Sequence, residues 1–386
     1  MKGLKTSTDV WNTSLISNVN PVFNLAKVFG IFPLSTSYDS KLKSKILKAS
    51  GISFPLLYSI IFVLYQIYWL SWFSLKAFAF DSEEDQGKNA IDKLKDLAWG
   101  SLGFGILLAL RIKKFFTRSK FVNLWVRCEA LNSKLFTFLE PSLKMKYGEI
   151  LKQLRKEFRT KIAFILFGFI ILIPVDVHRN VAELYDLDSK DTVVDHIHYV
   201  LWDVFLVSYL GSSLVILFCM KYLIYCFITL KLCLQRMIIE QNWTVSTIKG
   251  EKEGKSQNAL FLRRCSISEN NSERMKWILK FFKETEDLLT DFNDLHSIEY
   301  SAEVITAALN ITICAYLTIQ NIYFKQIDGY ESELLPIFIV SILTSKDFWD
   351  YCSVGNLLGR HVAQFWECME DVQVEDISED VQSKVP

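Results

Sequence analysis

The stretch from Asp176 to His198 holds the side chains best suited to chemistry in this sequence. Asp176 and His178 form a D-x-H, His196 and His198 an H-x-H, and Glu183, Asp186, Asp188, Asp191 and Asp195 lie between them. An H-x-H brings both imidazoles to one metal only on an extended strand. Here it leads straight into a long apolar helix, with no C-x-x-C pair and no H-E-x-x-H elsewhere. The stretch therefore reads as a solvated or vestibule-lining loop, an entry contact for a polar ligand being its other reading; neither calls for a metal or a cofactor. GNLLGR at 355–360 lacks the Lys-Ser/Thr of a phosphate loop, and the scattered histidines form no catalytic set, so no enzyme is expected. Eight cysteines are present, but Cys128, Cys219, Cys226, Cys233 and Cys314 fall in apolar or basic stretches without framework spacing.

The remaining candidates are polar residues inside apolar runs. Asp203 and Tyr209 lie in Val200–Leu234, where seventeen uncharged residues separate Asp203 from Lys221. Asn310, Tyr316 and Gln320 lie in Ala302–Phe324. Polar groups at membrane depth face neighbouring helices or a cavity, so interhelical hydrogen bonding and ligand contact are the two readings open to them.

What must position these residues is a set of apolar helices. Apolar residues make up 51% of the chain, with 29 Phe, 15 Tyr and 10 Trp, a mixture suited to lipid-facing helices with interfacial aromatic rings. Spans are expected at Ile52–Leu75, Lys95–Ile112, Ile162–Val177, Val200–Leu234 and Ala302–Phe324. A sixth starts at Leu334–Leu343, is interrupted by Lys346, Asp347 and Asp350, and resumes over Tyr351–Leu358. Val200–Leu234 exceeds the bilayer thickness, so it tilts or projects into the cytosol. Pro174 is expected to kink the third span near its outer end.

Charge orders the spans. Residues 1–51 form a basic arm with Lys2, Lys5, Lys27, Lys41, Lys43, Lys45 and Lys48, and within it Pro21 reads as the start of a short helix that Pro33 ends. Asp81, Glu83, Glu84 and Asp85 make the next loop acidic, whereas 113–161 is strongly basic and carries apolar residues at helical spacing. By the positive-inside rule the arm and the basic loops 113–161 and 232–301 are cytosolic, and the loops read as helical extensions of the bundle. Gly250–Glu273, rich in Gly, Ser and Asn, reads as mobile, and 359–386 as an acidic tail. The expected fold is an all-α polytopic bundle of about six spans over 52–358, amino terminus inside, in the plasma membrane. Forty-three basic and 43 acidic residues cancel, so no nucleic-acid partner is expected; membrane lipid is.

This architecture resembles the insect chemoreceptor superfamily, most of all the gustatory receptors. The resemblance rests on VFNLAKVFGIFPLS at 22–35, on the two long helical cytosolic loops, and on LLTDFNDLHSIEYSAEVITAALNITICAYLTIQNIYF at 288–324. It implies a receptor for a small tastant or odorant bound within the helices, with Asp203, Tyr209, Asn310, Tyr316 and Gln320 as contacts. It also implies a homo- or hetero-tetramer with related chains that gates a cation channel. The family's seventh, pore-lining span carries a Thr-Tyr and a Gln-Phe signature that this sequence lacks. The chain is therefore expected not to conduct alone, with a transporter or a modulatory or structural membrane subunit as the alternatives.

Overall fold

The computed structural model describes residues 14–28, 30, 32–39, 44–49, 53–79, 104–184, 213–240, 257–324 and 331–370. Over these the chain is almost entirely helical: α1 Leu15–Val28, α2 Phe54–Ala79, α3 Phe104–Phe138, α4 Pro141–Leu184, α5 Ser213–Glu240, α6 Gln257–Phe324 and α7 Glu331–Glu370. Two of them, α2 over Phe54–Trp72 and α5, are long and apolar enough to cross a membrane. Outside the described residues lie the acidic loop at 81–85, GSLG at 100–103, the H-x-H, Asp203, Tyr209 and the end of the acidic tail.

The basic arm departs from expectation twice. α1 begins at Leu15, so Pro21 stands inside the helix instead of opening it. The lost backbone hydrogen bond is outweighed by packing: Leu15, Ile16, Val19, Val22, Phe23 and Ala26 are all buried. The arm also contains a hairpin, β1 Ser35–Asp39 paired antiparallel with β2 Ser44–Lys48, whose Leu47 is buried in the same core as α1. That core gives the hairpin the apolar partner an isolated two-stranded pair lacks.

Gly30 ends α1. Its φ of +64° is the left-handed conformation of a helix C-terminus, and its N–H bonds the Lys27 carbonyl at 3.0 Å. A Cβ there would meet the Phe62 ring at 2.9 Å. Gly30→Ala is expected to lower stability by about 1–2 kcal/mol, read as a drop in the thermal unfolding midpoint of the purified protein.

α3 and α4 form a helical hairpin broken only at Leu139–Glu140. Pro141 explains the break: it disfavours helix at Glu140 and suits the first position of a new helix. Tyr147 on α4 donates its hydroxyl to Asn132 Oδ1 on α3 at 2.6 Å, fixing the register of the pair. α4 then runs through Pro174 to Leu184.

α5 is the axis around which the rest packs. Its apolar window is 83% buried, against 22% for that of α2. Tyr222 donates to the Cys128 carbonyl on α3 at 3.2 Å, Lys231 to Gln364 on α7 at 2.9 Å, and Phe218 lies edge-on to Phe158 of α4 at 5.0 Å. At its carboxy-terminal end Arg236 and Arg274 of α6 are interleaved with Glu140 and Glu240 at 2.6–3.0 Å. Helix α6 starts at Gln257, so 257–273 is helical where mobility was expected. α7 runs unbroken from Glu331 through the charged interruption of the sixth span and the expected start of the tail. Phe365, stacked on Phe282 at 4.4 Å, anchors that extension in the core.

Candidate functional site

α3, α4, α5, α6 and α7 each contribute charged or polar groups to one layer that crosses the molecule. On α6, three residues apart and so on one face, His296 and Glu299 are both buried, with His296 Nδ1 at 2.9 Å from Glu299 Oε2. Lys113 and Lys114 of α3 approach the same carboxylate at 3.7 and 4.0 Å, and Lys113 Nζ also donates to the Leu295 carbonyl at 2.6 Å. Burial raises the Glu299 pKa, but Lys114, His296 and Lys113 together outweigh it and hold the group at about 2. Glu299 is therefore a fixed negative charge at any physiological pH.

Phe32, Pro33 and Leu34, which follow α1, close over this cluster with Phe121 of α3 and Val215 and Ile216 of α5. They line a cavity of about 30 Å³. Phe121 stands edge-on both to His296 at 5.9 Å and to Phe32 at 5.3 Å. VFNLAKVFGIFPLS and LLTDFNDLHSIEYS, far apart in sequence, thus meet at one place.

Across the layer, Asp350 of α7 receives Lys161 of α4 and Lys346 of its own helix, each at 2.6 Å. Glu157 pairs with Lys221 of α5 and lies 3.9 Å from Lys161. Ser213 at the start of α5 donates to Asp347 Oδ1 at 3.0 Å, while Tyr351 donates to the Ser213 carbonyl at 3.2 Å. Tyr351 also meets Tyr300 of α6 edge-on at 5.0 Å. Between α4, α5 and α7, Lys161, Lys346, Asp347 and Asp350 floor a cavity of about 230 Å³ walled by Phe164, Ile165, Leu214 and Leu343.

Of the ligand contacts read from sequence, Asp203 and Tyr209 lie outside the described residues. Asn310, Tyr316 and Gln320 all fall in α6. Tyr316 and Gln320, four apart, share a face, and Asn310 is turned from both by about 80–120° of helix. Tyr316 is half-buried; the side chains of Asn310 and Gln320 lie outside the description. Thr312, in the glycosylation-like triplet Asn310-Ile311-Thr312, bonds the Ala308 carbonyl at 2.8 Å within the helix. No group of three or more metal-ligating side chains occurs among the described residues.

The layer itself was missed by sequence reading. Lys346, Asp347 and Asp350 registered only as an interruption of a span, although charges in an apolar helix signal a functional position. His296 and Glu299 gave no signal, because Lys113 and Lys114, which approach Glu299, lie far away in the sequence. No protein-family model matches the chain, and no curated protein matches it.

Proposed function

We propose that this protein is a multi-pass membrane receptor of the gustatory type, amino terminus inside. Its helices bind a small tastant- or odorant-like molecule, and the polar layer couples them to a cytosolic helical base. The observation that carries the reading is the meeting of the two resemblance stretches, 22–35 and 288–301, at the Glu299 cluster. The exposed surface supports it. On one side of the layer α2, α4 and α7 expose large apolar residues such as Ile61, Phe167 and Phe338, each more than 60% accessible. On the other side the exposed faces carry Arg127, Asp291, Lys134 and Glu284 in ion pairs.

With the inner membrane boundary at this layer, Ser213 lies at the boundary and the rest of α5 belongs to the base. Its apolarity is then satisfied by protein. Tetrameric assembly and channel gating belong to the same proposal, as parts of the family resemblance.

Ile61→Lys tests the membrane reading. Ile61 is exposed near the middle of Phe54–Trp72; in lipid a lysine there costs about 3 kcal/mol, in water almost nothing. The expected result is loss of alkali-resistant membrane integration, and an unchanged membrane fraction would refute it. Receptor function is tested on the purified chain with a panel of sugars and alkaloids. At least one compound should raise the thermal midpoint, and Tyr316→Ala should weaken that shift. Solute flux through vesicles containing the chain alone, without current, would favour a transporter.

A further inference from the structure

Five lysines of the polar layer are matched to acids. Lys113, Lys114, Lys161, Lys221 and Lys346 each lie within ion-pair distance of a carboxylate. One group close to the layer is not. Lys152, Lys156 and Arg159 of α4, spaced four and three apart, form an exposed stripe with no acidic partner among the described residues. Glu157 on the same helix is turned toward Lys221 and Lys161. Arg155 beside the stripe donates to Asn18 of α1, and burial, with the neighbouring Arg159 charge, lowers its pKa. The only nearby exposed carboxylate on this helix, Glu149, lies below Lys152, at the end farther from the layer.

Beyond Arg159 this face turns apolar over the next turns of helix, exposing Phe167 and Ile170, 63% and 66% accessible, with Phe164 flanking it. From Arg159 to Phe167 is about 12 Å along the axis, so cation and apolar surface are spaced as a phosphate headgroup and the first part of its acyl chains are. Thr160 and Phe164 also line the mouth of the 230 Å³ cavity between α4, α5 and α7, with Lys346 across it.

We propose that this face of α4 is a binding site for an anionic phospholipid of the inner leaflet. Lys156 and Arg159 take the phosphate, Lys152 reinforces the potential from below, and one acyl chain lies along Phe164, Phe167 and Ile170. Charge complementarity and the apolar face continuous with the stripe favour this occupant. The site rests on the membrane reading above.

The test uses the full chain reconstituted in phosphatidylcholine vesicles, with spin-labelled phosphatidylserine or phosphatidylcholine as the probe. The expected result is selective association of the phosphatidylserine probe, weakened by added salt. Removing a cation near the membrane surface weakens association about fivefold, so Lys156→Gln with Arg159→Gln is expected to lower the selectivity by more than tenfold. Lys280→Gln, an exposed cation on α6 in the base, serves as control and should leave it unchanged. A chain that enters the vesicles yet shows equal association of both probes overturns the lipid site alone; a chain that does not enter them overturns the membrane reading. Displacement of the probe by millimolar inorganic phosphate would assign the stripe to a soluble anion and overturn the proposal. A double variant with the wild-type thermal midpoint but undiminished selectivity would do the same.

Discussion

Glu299→Gln is expected to destabilise the folded protein by about 3 kcal/mol at neutral pH. The side chain is 2% exposed and compensates Lys113 and Lys114 within 4.0 Å. Glutamine fills the same space and still accepts a hydrogen bond from His296, so the variant removes charge and little else. Breaking a buried ion pair from one side costs about 3–5 kcal/mol; the lower end applies because both lysines retain some solvent. A pKa depressed from 4.5 to about 2 gives a stabilisation of about 3 kcal/mol by linkage. Because the folded pKa lies below the unfolded one, this contribution is complete above about pH 4.5 and is lost as pH falls toward 2. Thermal unfolding of wild type and variant should therefore differ most at neutral pH and converge in acid. A constant difference across that range would show that Glu299 contributes shape and not charge.

The same cluster shows how far the sequence could be read. The helical loops were legible because Phe121, Leu124, Trp125, Leu131 and Leu135 recur at helical spacing, and all but Phe121 are fully buried in α3. The length and apolarity of α5 were legible too, but hydropathy does not distinguish lipid from protein as the apolar partner. The burial of α5 and the exposure of α2 make that distinction, and burial is a tertiary property. Mobility at 257–273 was a reading of composition: Ser and Asn cost only tenths of a kcal/mol each in a helix, and extending a helix already nucleated at 274–300 is far easier than starting one. Pro21 misled for the same reason, a local penalty overruled by six buried side chains of α1. The Glu299 site stayed hidden because α3, α5, α6 and the segment after α1 meet there, and no spacing within one stretch encodes it.

Trp125→Ala carries the other large expected effect, about 3–5 kcal/mol, and its consequence reaches beyond stability. Trp125 is fully buried at the centre of an aromatic column: Phe32 stacks on Phe23 at 4.6 Å, Phe23 meets Trp125 edge-on at 5.0 Å, and Trp125 lies 6.1 Å from Phe218. The column joins the amino-terminal segment to α3 and to the central α5. Truncation at Trp125 leaves a cavity on which both Phe23 and Phe218 border, so α1 loses part of its hold on the base. Its remaining ties are the other buried side chains of its core face, with the Ile16 N–H to Glu129 at 3.1 Å and Arg155 to Asn18. Protease cleavage within 14–34 should therefore accelerate in Trp125→Ala well before global unfolding, while the α3–α4 hairpin stays protected. Trp125→Phe should cost much less than the alanine change. The ring contacts survive in part, and the indole N–H it removes is buried without an acceptor among the described residues, so its loss relieves a desolvation penalty. Equal losses for Phe and Ala would instead assign the stability to the indole itself, and unchanged cleavage in the alanine variant would show that α1 is held without the column. The segment carrying VFNLAKVFGIFPLS also lies over Glu299, so releasing it opens the buried ion pairs to water. The two variants should therefore be non-additive, the glutamine change costing less when alanine already stands at 125.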